Sequence, residues 1–79
     1  MPSAVVLLNS EIGKEVEILE EMCTFDEVER GYLIYGVYDI LAEVSTSTMD
    51  ELEEIITRRI RLIPGVRSTL TLIVSKRCK

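Results

Sequence analysis

Apolar and polar positions alternate along this chain in six short blocks whose period switches between that of a strand and that of a helix. Ala4, Val5, Val6, Leu7 and Leu8 form an unbroken run closed by polar residues, which predicts a first strand over Ser3 to Asn9. Asn9 to Gly13 is a turn. From Lys14 to Cys23 the apolar residues Val16, Leu19, Met22 and Cys23 fall at helical spacing among glutamates, and Glu15 and Glu17 suit the positive end of a helix dipole. Thr24 to Glu27 leads into a second strand, Val28 to Tyr35. Gly36 makes the reversal, because a residue without Cβ takes positive φ freely. A third strand runs from Tyr38 to Val44. After the polar loop Ser45 to Thr48, the pair Thr48 and Glu51 matches a capping box. The second helix runs to about Leu62, with Met49, Leu52, Ile55, Ile56 and Ile60 on one face. Arg58, Arg59 and Arg61 suit its negative end, and Pro64-Gly65 stops it. Ser68 to Val74 is the fourth strand.

The order is βαββαβ, and each half ends in a similar phrase, Phe25-Asp26-Glu27-Val28 and Ile63-Pro64-Gly65-Val66. Two split βαβ units in tandem predict an α+β, ferredoxin-like sandwich with a four-stranded antiparallel sheet and both helices on one face. A sheet covered on one face alternates apolar and polar residues. Strand 1 is apolar on both faces, as are the middle of strand 3 (Ile40, Leu41, Ala42) and strand 4 (Leu70, Leu72, Ile73, Val74). The helices cover one face only, so the other calls for a partner. The expectation is a homodimer closed sheet against sheet, a dimeric α/β barrel.

Size supports a shared core: a chain of 79 residues makes one domain and buries roughly 60% of its unfolded surface. With 14 acidic and 9 basic residues the net charge is −5, the wrong sign for a phosphate backbone, so nucleic acid is not an expected partner. Cys23 and Cys78 stand without CxxC spacing and there is no histidine, so no metal site is expected. They read as a buried helix thiol and a tail thiol, with a disulfide as the alternative. No basic stretch precedes an apolar one as in a leader, and no apolar run has membrane-span length; a soluble, cytoplasmic protein is expected. Asn9 is the only side-chain amide among many glutamates, arginines and isoleucines, a thermophile-like bias.

Catalysis is poorly provided for. No nucleophile has a base beside it, and no glycine-rich phosphate loop is present, so neither an enzyme nor a cofactor is expected. Asp39, fixed by the turn at Gly36 and set among Val37, Tyr38 and Ile40, suits the ammonium of an α-amino acid, with exposed amides for the carboxylate. The alternative is that Asp39 only bonds the turn backbone. Thr69 and Thr71, at i and i+2, share one strand face; they serve either a polar ligand or strand pairing.

Gly36-Val37-Tyr38-Asp39 with Ile40-Leu41-Ala42, followed by Ile63-Pro64-Gly65-Val66 and Ser68-Thr69-Leu70-Thr71-Leu72, resembles the effector-binding (RAM) domain of the Lrp/AsnC family of transcriptional regulators. The resemblance covers roughly residues 3 to 75. It implies a ferredoxin-like domain that dimerises through its sheets and assembles into octameric or similar rings. Amino-acid effectors would bind between dimers, with Gly36, Tyr38 and Asp39 on the turn side of the pocket and Thr69 and Thr71 on the last strand. Full-length members carry an N-terminal helix-turn-helix. Here strand 1 begins at residue 3, so a single ligand-binding domain over residues 1–79 without a DNA-binding domain is expected. It would act by sensing an amino acid or by co-assembling with full-length paralogues. A purely structural partner with a vestigial pocket and a small dimeric ferredoxin-like enzyme are the alternatives.

Overall fold

The computed structural model describes residues 1–79. Four strands, β1 (Ser3–Ser10), β2 (Val28–Leu33), β3 (Ile40–Ser45) and β4 (Val66–Ile73), form one sheet in the order β2-β3-β1-β4. All pairings are antiparallel. Two helices complete the expected βαββαβ sandwich: α1 (Glu15–Met22), and α2 (Met49–Ile55), which continues as a π-helical turn over Ile56–Ile60.

The period-two pattern of β1 decides what each face does. Ala4, Val6, Leu8 and Ser10 are buried and the residues between them are half-exposed. In register, Leu8, Val6 and Ala4 oppose Ile40, Ala42 and Val44 of β3, and all of these are buried under the helices. Ile18 and Met22 of α1, Leu52 and Ile55 of α2, and Ile56 and Ile60 of the π turn close over them, with Phe25 and Ile63 at the corners. The other face carries Val5 and Leu7 of β1, Leu41 of β3, Tyr32 of β2, and Leu70 and Leu72 of β4. No element of the chain covers these residues, and Tyr32, Leu70 and Leu72 are exposed. The two-faced apolar pattern is therefore real, and one of its faces is bare.

The sheet is open, which corrects the expectation of a dimeric α/β barrel. β2 and β4 lie at opposite edges with β3 and β1 between them, and both are edge strands. Closure requires the outer strands to tilt round and pair; here the helices occupy one face and hold the sheet as a layer.

The repeated phrase has a structural basis. Val28 N–H donates to Phe25 O at 3.1 Å, and Val66 N–H donates to Ile63 O at 3.2 Å. In both, a buried apolar residue anchors a one-turn reversal that starts a strand. Arg59, from the π turn, lies over the Phe25 ring at 4.1 Å and 3.7 Å from Glu27 Oε1, linking the second helical segment to the first reversal.

Helix 1 differs from its predicted stripe. Ile18 and Met22 are the buried pair, Leu19 packs at the edge of the core, and Val16 and Cys23 are exposed. Leu19 and Met22 of the predicted stripe do face the core, but Ile18 takes the place of Val16, and Cys23 is a surface thiol instead of a buried one. Helix 2 also departs from expectation. Arg61 N–H reaches back five residues to Ile56 O at 3.0 Å, so the segment ends in a widened turn, not an α-helix to Leu62. At its start, Glu51 N–H donates to Thr48 Oγ1 at 3.2 Å as the capping box predicts. The Glu51 carboxylate accepts from the Thr48 hydroxyl at 3.1 Å instead of reaching the cap's own backbone.

Candidate functional site

The candidate residues gather at the end of the sheet where β1 finishes. β2 stops at Leu33 and β3 starts at Ile40, leaving a connection of residues 34–39, longer than the tight turn expected. Ile34 N–H donates to Asp39 O at 2.9 Å and closes it. Gly36 has φ +152°, and a Cβ built there meets nothing within 4 Å, so backbone conformation alone selects glycine. Tyr35 and Val37 on either side are fully exposed, which is unusual for a tyrosine and a valine at a loop tip.

Asp39 is held from two directions. Its amide donates to Leu8 O at 2.9 Å, and its Oδ2 accepts the Ser10 amide at 2.9 Å. The reason lies in β1: pairing with β4 slips between Asn9 and Ser10, and at that bulge the carboxylate supplies an acceptor to the Ser10 amide. A charged acceptor on a partly buried amide contributes about 1.5–3 kcal/mol. Asp39 thus bonds backbone, but that of a neighbouring strand instead of its own turn. Its second oxygen, Oδ1, has no partner within the chain. Tyr38 is half-buried beside it.

Thr69 and Thr71 share a face, as their spacing predicts, and it is the helix-side face, since they oppose Leu8 and Val6. Both are half-buried on the edge strand. Leu8 is the common neighbour: its carbonyl takes the Asp39 amide on one side, and Thr69 opposes it on the other. Asp39 and Thr69 therefore lie at one end of the sheet with a single strand between them, and Thr71 lies two pairs further in. Neither threonine touches Asp39. No wall formed by this chain closes around the group, and Gly36 stands out in the loop.

Sequence reasoning does not reach Ser10. A serine closing a strand carries no signal of its own, and its partnership with Asp39 depends on a bulge that only the assembled sheet creates.

On the bare face, Tyr32 O–H donates to Glu43 Oε2 at 3.0 Å. That bond, reinforced by desolvation and by the Glu43 charge and opposed by Arg30, raises the Tyr32 phenol above its ordinary value of 10.0. Arg77 from the tail lies 4.0 Å from the same carboxylate.

This geometry has close counterparts. Residues 3–79 match the family described as the Lrp/AsnC ligand binding domain. An uncharacterized HTH-type transcriptional regulator of Pyrococcus horikoshii is 31% identical over 72 residues, covering 91% of this chain and 46% of the regulator. The chain thus spans about half the length of the curated regulators it matches. A hypothetical protein of Pyrococcus horikoshii has a crystal structure with TM-score 0.91 and 35% identity, covering 99% of this chain and 94% of that one. A transcriptional regulator of Neisseria meningitidis, solved as an L-Met complex, shares the fold at TM-score 0.84 and 16% identity, covering 99% of this chain and 52% of that one. With that match over nearly the whole chain and this likeness in fold, the chain belongs to the Lrp/AsnC ligand binding domain family.

Proposed function

We propose that the chain binds a free amino acid at the end of β1 and that binding is registered through association of its copies. The observation that carries this reading is Asp39: its amide bond to Leu8 O fixes the backbone, the Ser10 amide holds Oδ2, and Oδ1 is left unpartnered beside the exposed loop. A fixed carboxylate with one free oxygen suits an ammonium group. Gly36 sets the loop path and Tyr38 flanks the carboxylate, while Thr69 and Thr71 offer hydroxyls across β1 for the rest of the ligand. The Neisseria meningitidis relative, solved with L-Met, supports an amino acid as the ligand class.

Two features support a site completed by a second copy. One chain provides no enclosing wall, yet Tyr35 and Val37 project fully exposed at the loop tip. The bare face, with Val5, Leu7, Leu41, Leu70 and Leu72, gives copies an apolar surface through which to associate. The same reading extends to assembly beyond a pair and to co-assembly with longer regulators of the family, for which these exposed surfaces are the candidates.

Calorimetric titration with each common amino acid, on wild type and Asp39→Asn with light scattering on the same samples, tests the reading. Asparagine keeps an acceptor for the Ser10 amide and removes the charge. Heat from one amino acid that disappears in Asp39→Asn supports the sensor. Silence from all of them, with oligomers intact, rejects ligand sensing and leaves assembly as the activity.

A further inference from the structure

Beyond the hairpin, the surface where the second helical segment meets β4 has a chemistry that the amino-acid reading does not use. Arg61, Val66, Arg67, Ser68 and Thr69 line a shallow groove of about 370 Å³. No carboxylate lines it, in a chain with 14 acidic and 9 basic residues. Neither guanidinium has an acidic partner within 4.0 Å; of the nine basic side chains only Lys14, Arg59 and Arg77 do, so what sets this pair apart is its shared groove free of carboxylates. Two adjacent cations left unpaired in an acidic protein invite an anion from outside.

The remaining groups are donors as well. Asn9 Nδ2 donates to Ser68 Oγ at 3.1 Å, which occupies a lone pair and leaves the serine hydroxyl proton free to point elsewhere. The Thr69 hydroxyl has no partner in the chain. Val74 N–H donates inward to Ser3 O at 2.9 Å, and β4 pairs with β1 without a slip from Ile73 to Ser68. Alternation along an antiparallel ladder then turns the Thr69 N–H outward, at the free edge. Two guanidiniums, the Thr69 hydroxyl and the Thr69 amide line the groove with no carboxylate among them, while the Ser68 hydroxyl, paired with Asn9, lies toward the other face of the sheet. The π turn takes part, because its bond from Arg61 N–H to Ile56 O fixes the backbone from which one guanidinium extends.

We infer that this groove is a binding site for a phosphate group, borne by a small molecule or free in solution. Guanidinium forks match the paired oxygens of phosphate, and two cations balance a dianion better than a monocarboxylate. Thr69 is shared with the amino-acid site, so the two ligands would sense each other across Leu8. The phosphate site itself does not depend on Asp39.

The test is an NMR titration of the ¹⁵N-labelled full chain with inorganic phosphate and, separately, with a nucleoside 5′-monophosphate, with sodium acetate at matched ionic strength as control. Saturable shifts confined to Arg61 and Arg67 to Thr69, at least tenfold weaker in Arg61→Gln and in Arg67→Gln, support the site. Arg67→Lys should retain part of the affinity, and Asp39→Asn all of it. Equal saturation by both phosphate probes assigns the site to the phosphate group alone; tighter binding of the nucleotide assigns it to a phosphorylated metabolite. Shifts as large with acetate, or shifts indifferent to both glutamine variants, overturn the inference. Because Asp39→Asn separates the two sites, loss of phosphate binding and loss of amino-acid binding are distinguishable.

Discussion

Replacing Asp39 with alanine removes the acceptor for the Ser10 amide together with the charge, so loss of ligand binding in that variant would not by itself identify a binding role. Urea unfolding should show Asp39→Ala destabilised by about 1.5–3 kcal/mol, whereas Asp39→Asn stays closer to wild type. Equal stability of the alanine variant and wild type would deny the carboxylate its hold on β1. A second residue-scale test concerns Tyr32. The folded chain holds the phenolic proton more tightly than the unfolded chain does, because the Glu43 carboxylate accepts it. The bond's contribution to stability is therefore complete below about pH 10 and fades as pH rises through the raised value. Tyrosinate absorbance should place Tyr32, identified by Tyr32→Phe, above the ordinary range in wild type and back toward it in Glu43→Ala. An unmoved titration would separate the phenol from Glu43.

At the scale of elements, α1 lies so close to β2 that a Cβ at Gly31 would stand 2.8 Å from Leu19 Cδ1 and 3.0 Å from Cys23 Sγ. Both atoms end side chains that can shift, so Gly31→Ala should cost about 1 kcal/mol, the low end of the overpacking range. The double variant with Leu19→Ala should be more stable than the sum of the single effects allows. Strict additivity in thermal or urea unfolding would show that the two elements are not in contact there. This packing also explains what was legible in the sequence. The strands announced themselves through apolar runs, and the helix 2 stripe through Met49, Leu52, Ile55, Ile56 and Ile60, of which all but Met49, exposed at the helix start, are buried. In helix 1 four apolar candidates compete, and Ile18 is buried while Val16 is exposed because packing onto the sheet, a tertiary matter, selects the face. The π turn has no marker in Ile56 to Ile60. The slip at Asn9/Ser10, which gives Asp39 its partner, is likewise a property of two strands together.

For the whole molecule, the expectation that an apolar second face calls for a partner rested on counting residues, and the structure locates those residues on a layer with two unpaired edges. Leu41 and Leu7 oppose each other near the middle of that face. Leu41→Lys places a charge at its centre without touching the helix-side core. Light scattering should show a smaller particle than wild type, with helix and strand content unchanged by circular dichroism. An unchanged particle size would move the association surface elsewhere, to the loop tip or the sheet edges.

The hydrogen bond from the Ser10 amide to Asp39 also turns one proton into a gauge. Exchange of that amide with deuterated solvent is slowed by the carboxylate that accepts it, so anything that draws the carboxylate away speeds the exchange. A cation bound at Oδ1 leaves Oδ2 in place and the rate low; a ligand that rotates the side chain raises it. A single exchange rate therefore reports how a ligand engages Asp39, without a label or a partner protein.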